Sequence, residues 1–172
     1  MLSLFRSVEA VIFDVDGVLS SSNLLILENG QLLRQTNSRD GYAIKYAVNS
    51  GLKVGIITGG KSDGVVRRYN NLGVVDIFAG VQDKVEALED YILAYDLNPD
   101  KIVYVGDDLP DYEVMQRVGI PCCPQDAANE IKGISKYISP VKGGCGVARD
   151  ILEKIMKLNG TWMNATTSIS NE

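Results

Sequence analysis

Histidine is absent from all 172 residues. That absence removes Ser-His-Asp and Cys-His nucleophile activation, phosphohistidine chemistry and every zinc site built on imidazole. If the chain is an enzyme, carboxylates must move its protons. Cysteine is also scarce: Cys122, Cys123 and Cys145 are the only three, too few for a disulfide framework and not spaced as a CxxC metal pair. They read as reduced thiols of a cytosolic protein. There is no run of Lys or Arg, and 22 acidic residues against 17 basic leave a net charge of −5. Nucleic acid is therefore not an expected partner. A long apolar run is missing too. The opening stretch Met1 to Ala10 is interrupted by Arg6 and Glu9, which makes it neither a signal-peptide core nor a membrane span. The expectation is a cytoplasmic protein with no membrane partner.

The length suits one domain with a full core. From residue 40 onward, short β-rich runs alternate with amphipathic segments, the pattern of βα units around a parallel sheet. Strands are predicted at 9–15, 52–57, 74–79, 101–105 and about 119–123, with helices at 40–50, 62–72, 83–96, 110–118, 126–133 and 146–158. Asp40 is placed to cap the first helix, Gly51 and Gly73 to take left-handed C-caps, and Pro110 to open a helix. Residues 20–37 differ: Leu24 to Leu27 and Gln31 to Gln35 flank Asn29-Gly30, a two-residue hairpin signal. The predicted fold is α/β, a Rossmann-like three-layer sandwich with a central parallel sheet and a β-hairpin inserted after the first strand. One domain spans 1–159, and the polar stretch 160–172 is expected to be a flexible tail.

The chemistry concentrates in Val11-Ile12-Phe13-Asp14-Val15-Asp16-Gly17, an apolar run ending in two acids spaced i, i+2. Strand side chains alternate faces, so Asp14 and Asp16 share a side while Val15 faces the core. Three further polar groups follow predicted strands: Thr58, Lys84, and Gly106-Asp107-Asp108 with Asp111. Each alone has an ordinary structural explanation, as a turn, a loop, a first-turn lysine or a helix cap. Ligands of open α/β sheets bind beyond the carboxyl ends of the strands, however, and all four groups fall there. Five carboxylates around one lysine repel strongly, each close pair by about 4 kcal/mol at an effective dielectric of about 20. A hard divalent cation relieves that repulsion, and few oxygen ligands point to Mg²⁺.

These residues resemble the haloacid dehalogenase superfamily, whose four motifs match as Asp14-Val15-Asp16-Gly17-Val18-Leu19, Thr58-Gly59, Lys84 and Gly106-Asp107-Asp108-Leu109-Pro110-Asp111. The resemblance implies an aspartyl-phosphate on Asp14, with Asp16 as general acid and then general base. It implies phosphoryl contacts from Thr58, Gly59 and Lys84, and a Mg²⁺ site made by Asp14, the Asp16 carbonyl and Asp107. Asp108 and Asp111 are left open between orienting Lys84 and holding metal-bound water.

Only 22 residues separate Gly17 from Asp40, too few for a cap domain. Arg39-Asp40-Gly41-Tyr42, Thr58-Gly59-Gly60-Lys61-Ser62, Arg68 with Leu72-Gly73, and Gly143-Gly144-Cys145-Gly146 are similar to the capless phosphatases of 3-deoxy-D-manno-octulosonate 8-phosphate. That similarity implies a small acidic sugar-phosphate substrate in lipopolysaccharide biosynthesis and a homo-oligomer, a tetramer, built through the hairpin. The subfamily often carries arginine where this chain has Gly60 and a basic residue in place of Cys145. Arg39, Lys61 and Arg68 are the candidates to supply the missing charge. A 9-phosphate phosphatase of nonulosonate or sialic acid type is the alternative, and a phospho-accepting receiver domain a distant one. The order of the motifs argues against a receiver, because here an acid pair follows the lysine. Gly143 to Gly146 stays open between a loop capping the last helix, a backbone donor surface and a contact with a neighbouring subunit.

Overall fold

Apolar residues run unbroken through the first strand because both of its faces are covered. In the computed structural model, which describes residues 2–163, Val11 and Phe13 pack with Ile44, Ala47, Ile151 and Leu152. Ala10 and Ile12 pack on the opposite side with Leu88, Tyr91, Met115 and Ile131. The elements in chain order are β1 (Ala10–Phe13), β2 (Leu25–Ile26), β3 (Leu32–Leu33), α1 (Ser38–Asn49), β4 (Lys53–Thr58), α2 (Asp63–Asn70), β5 (Asp76–Ala79), α3 (Lys84–Tyr95), β6 (Ile102–Val105), α4 (Tyr112–Met115), β7 (Ile120–Cys123), α5 (Asn129–Ile134), β8 (Tyr137–Ile138) and α6 (Val147–Leu158). Six strands form one sheet in the order β5-β4-β1-β6-β7-β8, every pairing parallel. Helices α1, α2 and α6 contribute to the core on one face, and α3, α4 and α5 to the core on the other.

The chain crosses from β1 to β4 in one direction and later to β6 in the other, so the carboxyl end of β1 is the switch point where such sheets open a crevice. No cap domain covers it among the described residues. Among the described residues, no helix is long and apolar enough to cross a membrane.

Several local features differ from expectation. The strand β8, two residues long at the sheet edge, has no counterpart among the predicted strands. The 110–118 helix breaks into a 3-10 turn at Leu109–Asp111 followed by the four-residue α4. Asn37, not Asp40, caps α1, its Oδ1 accepting from the Arg39 N–H at 2.8 Å and the Asp40 N–H at 3.4 Å. Asp40, one turn in, is buried and accepts the Arg149 N–H at 2.7 Å. It thereby caps α6, whose own cap position is Gly146 and makes no side-chain bond. The hairpin forms with Leu25 opposite Leu33 and Ile26 opposite Leu32, but its loop is longer than two residues. The Gly30 N–H bonds back to Leu27 O and the Leu27 N–H reaches Gln31 O. Gly30 at φ +82° supplies the left-handed step of such a longer turn.

At the start of the expected tail, Trp162 packs on Tyr46 with ring centroids 5.0 Å apart and lies beneath the Arg149 guanidinium. The rest of that tail, 164–172, lies outside the described residues.

Candidate active site

Asp14 leaves β1 with its N–H bonded to Val105 O at 3.0 Å, which seats it between β4 and β6. Thr58 ends β4 and is buried, its Oγ1 accepting the Gly60 N–H at 3.1 Å. Lys84 opens α3 behind the Asp83 cap and reaches inward, Nζ lying 3.0 Å from Asp14 Oδ1 and 2.7 Å from Asp111 Oδ1. Two glycines make room for the remaining acids. A Cβ on Gly17, which sits at φ +90°, would lie 1.9 Å from Asp107 Oδ2, and one on Gly106 would lie 2.5 Å from Asp111 Cβ. Both acids occupy space that any larger residue would take.

Asp14, Asp16, Thr58, Gly59, Lys84 and Asp107 thus line one cavity of about 300 Å³, together with Asp108 and Asp111. Lys61 and Arg68 line a neighbouring cavity of about 710 Å³ between the hairpin and α2. Arg39 is not brought to either. It lines a third cleft with Cys145 and Arg149, because its place in the first turn of α1 points that stretch of surface toward α6.

The charge balance is strained. Burial first, then the Asp111 carboxylate, pushes the Asp14 pKa up to about 7 against the pull of Lys84. Asp107 is also pushed to about 7, by burial and then by Asp14 and Asp111. Burial disfavours the Lys84 cation, but Asp14 and Asp111 more than reverse this and its pKa is raised. Carboxylate oxygens of Asp14, Asp107 and Asp111 lie within 4.8 Å of one another. Asp111 is already committed, taking bonds from Lys84, from the Tyr104 hydroxyl at 3.0 Å and from the Asp107 N–H at 3.2 Å. It therefore fixes Lys84, a role the motif alone left undecided. Asp14 and Asp107 are the pair whose repulsion a divalent cation relieves, and a small set of hard oxygen donors fits Mg²⁺.

Asp16 is held by partners outside the four motifs. Its carboxylate takes a two-pronged bond from Arg34, with Nε to Oδ1 at 2.7 Å and Nη2 to Oδ2 at 2.9 Å. The Ser20 hydroxyl adds a third contact at 3.1 Å. Among the metal ligands expected, Asp16 therefore has only its main-chain carbonyl to give. Arg34 escaped the sequence reading, although a signal existed: the hairpin starts and ends beside the β1 acids, so a cation at its returning base has to lie near them. Beneath this loop, Gly143 and Gly144 pack flush. The Gly144 N–H bonds to Val18 O at 2.8 Å, and a Cβ on Gly143 would meet Gly17 O at 1.9 Å. The glycine segment is a buttress for the loop that carries Asp16.

The haloacid dehalogenase-like hydrolase family matches residues 69–151. The 3-deoxy-D-manno-octulosonate 8-phosphate phosphatase KdsC of Salmonella typhi is 35% identical over 155 residues, covering 90% of this chain and 82% of the relative. The chain belongs to the haloacid dehalogenase-like hydrolases. The Escherichia coli K12 KdsC is 34% identical over the same length and coverage. Among solved structures, the Yersinia pestis octulosonate phosphatase superposes with a TM-score of 0.89 at 31% identity, over 93% of this chain and 86% of that one. The Moraxella catarrhalis phosphatase, crystallised with magnesium, phosphate and the sugar acid, gives 0.87 at 29% identity over 91% and 90%. This hydrolase is thus a phosphomonoesterase, and its fold matches those of the solved octulosonate phosphatases.

Proposed function

We propose that the chain hydrolyses 3-deoxy-D-manno-octulosonate 8-phosphate to the free sugar acid and phosphate, in the cytoplasm and as a step of lipopolysaccharide biosynthesis. The observation that carries this reading is the buried Asp14–Lys84–Asp111 chain beside Asp107, held in a protein similar to octulosonate phosphatases over nine-tenths of its length. An Asp14 oxygen attacks phosphorus, forming an O–P bond as the ester P–O bond breaks. Asp16 gives its proton to the departing sugar oxygen, a step in which the protonated carboxyl oxygen gives up its Arg34 contact while the other oxygen keeps one. Asp16 then takes a proton from water as that water attacks the aspartyl-phosphate, releasing phosphate and restoring Asp14. Thr58, the Gly59 main chain and Lys84 hold the phosphoryl oxygens, with Lys61 and Arg68 contacting the rest of the substrate. Arg39, in its separate cleft, contributes only if a neighbouring subunit completes the site. Asp14, Asp107 and the Asp16 carbonyl would hold Mg²⁺, which would offset charge on the phosphoryl group and the acids.

A tetramer formed through the hairpin is part of this reading, supported by Leu25 and Ile26 standing 61% and 69% exposed. Gly60 and Cys145, neutral where related phosphatases often carry cations, favour one second reading, a nonulosonate 9-phosphate substrate. Phosphate release measured on both sugars with and without Mg²⁺ tests the assignment. The higher kcat/KM is expected on the octulosonate, and no turnover of any 2-keto-3-deoxy sugar phosphate contradicts it.

A further inference from the structure

Arg34 lies where two cavities meet. Its Nε and Nη2 grip Asp16 on the catalytic side, while the residue also lines the larger cavity under α2 with Lys61 and Arg68. Its side chain is only 7% exposed, against 30% for Asp16, so this is no loose surface pair. The space it fills exists because of Gly60, where a Cβ would lie 3.0 Å from Arg34 Nη2 and 3.3 Å from Asp16 Oδ2. A guanidinium has five N–H donors in a rigid fork, and Asp16 uses two of them. The cavity it borders has three cations, Arg34, Lys61 and Arg68, against a single acid, Asp63, in a chain of net charge −5. Lys61 packs its stem over Gly80 and Arg68 sets its guanidinium against Gly41, where an added Cβ would strike them at 2.7 and 2.4 Å.

We infer that Arg34 is a specificity and positioning residue with two edges. One edge fixes the Asp16 carboxylate, and the other receives a second anionic group of the substrate, a carboxylate remote from the phosphoryl group, which Lys61 and Arg68 help to hold. This inference rests on the phosphatase reading above and deepens it. It also gives the hairpin a chemical task, since β2 and β3 form a sheet of their own and Arg34 is the side chain that ties the hairpin to Asp16.

The test is steady-state kinetics of the full chain with Mg²⁺ and its Arg34→Ala and Arg34→Lys variants. The substrates are octulosonate 8-phosphate, a nonulosonate 9-phosphate, a neutral hexose phosphate and p-nitrophenyl phosphate, whose leaving group needs no proton. Arg34→Ala is expected to raise KM and lower kcat on the acidic sugars, with a loss in kcat/KM at least tenfold larger than on p-nitrophenyl phosphate. Arg34→Lys keeps the charge without the fork, and is expected to recover KM more than kcat. A lower kcat shared by all four substrates is expected from the common hydrolysis step, but equal losses in kcat/KM on all four, the pattern of a structural defect, overturn the inference, as does an Arg34→Ala enzyme that keeps the wild-type preference for acidic sugars. A wild type that favours a different acidic ester refutes the octulosonate assignment while Arg34 is judged on the favoured ester. A wild type with no preference for acidic esters overturns the Arg34 inference itself.

Discussion

Asp14 and Asp107 carry the clearest consequence at the scale of single residues. Without a cation both are held well above the usual carboxylate range, at about 7, by burial and by their neighbours. In the unfolded chain they ionise near pH 4. Between those values the folded protein binds more protons than the unfolded one, so its stability falls as pH rises from about 4 to about 7. Mg²⁺ binds the ionised form and opposes that fall. Thermal melts across this range are expected to show the metal-free protein losing stability toward neutral pH, and Mg²⁺ raising the melting temperature most at the upper end. An equal Mg²⁺ effect at pH 4 and pH 7 would contradict the assignment of these acids as ligands. The acid pair, Thr58 and Asp107 were legible because each lies at or just past the end of an apolar strand, and Lys84 because it opens the helix after the next strand. Arg34 and the commitment of Asp111 to Lys84 were not, because neither follows from spacing along the chain. Both depend on how a loop returns in space.

At the scale of elements, helix ends show where local signals mislead. Asp40 reads as a cap of its own helix, yet Asn37 does that work and Asp40 serves α6, more than a hundred residues away in sequence. A side chain one turn inside a helix cannot be told from a cap without knowing which helix packs across from it. Burial pushes the Asp40 pKa up to about 6, against N–H donors from Arg149, Gly146 and Ala148. Its ionisation therefore costs stability as pH rises from about 4 to about 6. Asp40→Asn keeps an acceptor for the Arg149 N–H and is expected to flatten that part of the pH–stability curve in saturating Mg²⁺. Asp40→Ala loses the cap and is expected to cost about 1–2 kcal/mol in denaturant unfolding. Identical pH dependence in wild type and Asp40→Asn would show that Asp40 is not the titrating group. The strand β8 was illegible for a different reason: two residues give no periodicity to read.

For the whole molecule, the parallel order β5-β4-β1-β6-β7-β8 follows from alternating βα units, and the motif-bearing strand ends converge because a parallel sheet puts its carboxyl ends on one edge. What surrounds that edge was less visible in the sequence. The hairpin stands apart from the main sheet with Leu25 and Ile26 bare, an arrangement that invites pairing with other copies. Sedimentation is expected to find a tetramer for the wild type, and smaller species with higher KM for Leu25→Glu/Ile26→Glu. A monomeric wild type of full activity would contradict the hairpin's part in assembly.

The proposed hydrolysis stands or falls on a covalent bond from Asp14 to phosphorus inside a lysine-braced carboxylate pocket. Rapid acid quench during turnover of octulosonate 8-phosphate, followed by peptide mass mapping, tests it most directly. One phosphoryl group is expected on the peptide containing Asp14, labile to hydroxylamine and missing from Asp14→Asn. Full turnover by Asp14→Asn, or a phosphoryl group trapped on any other residue, would contradict it.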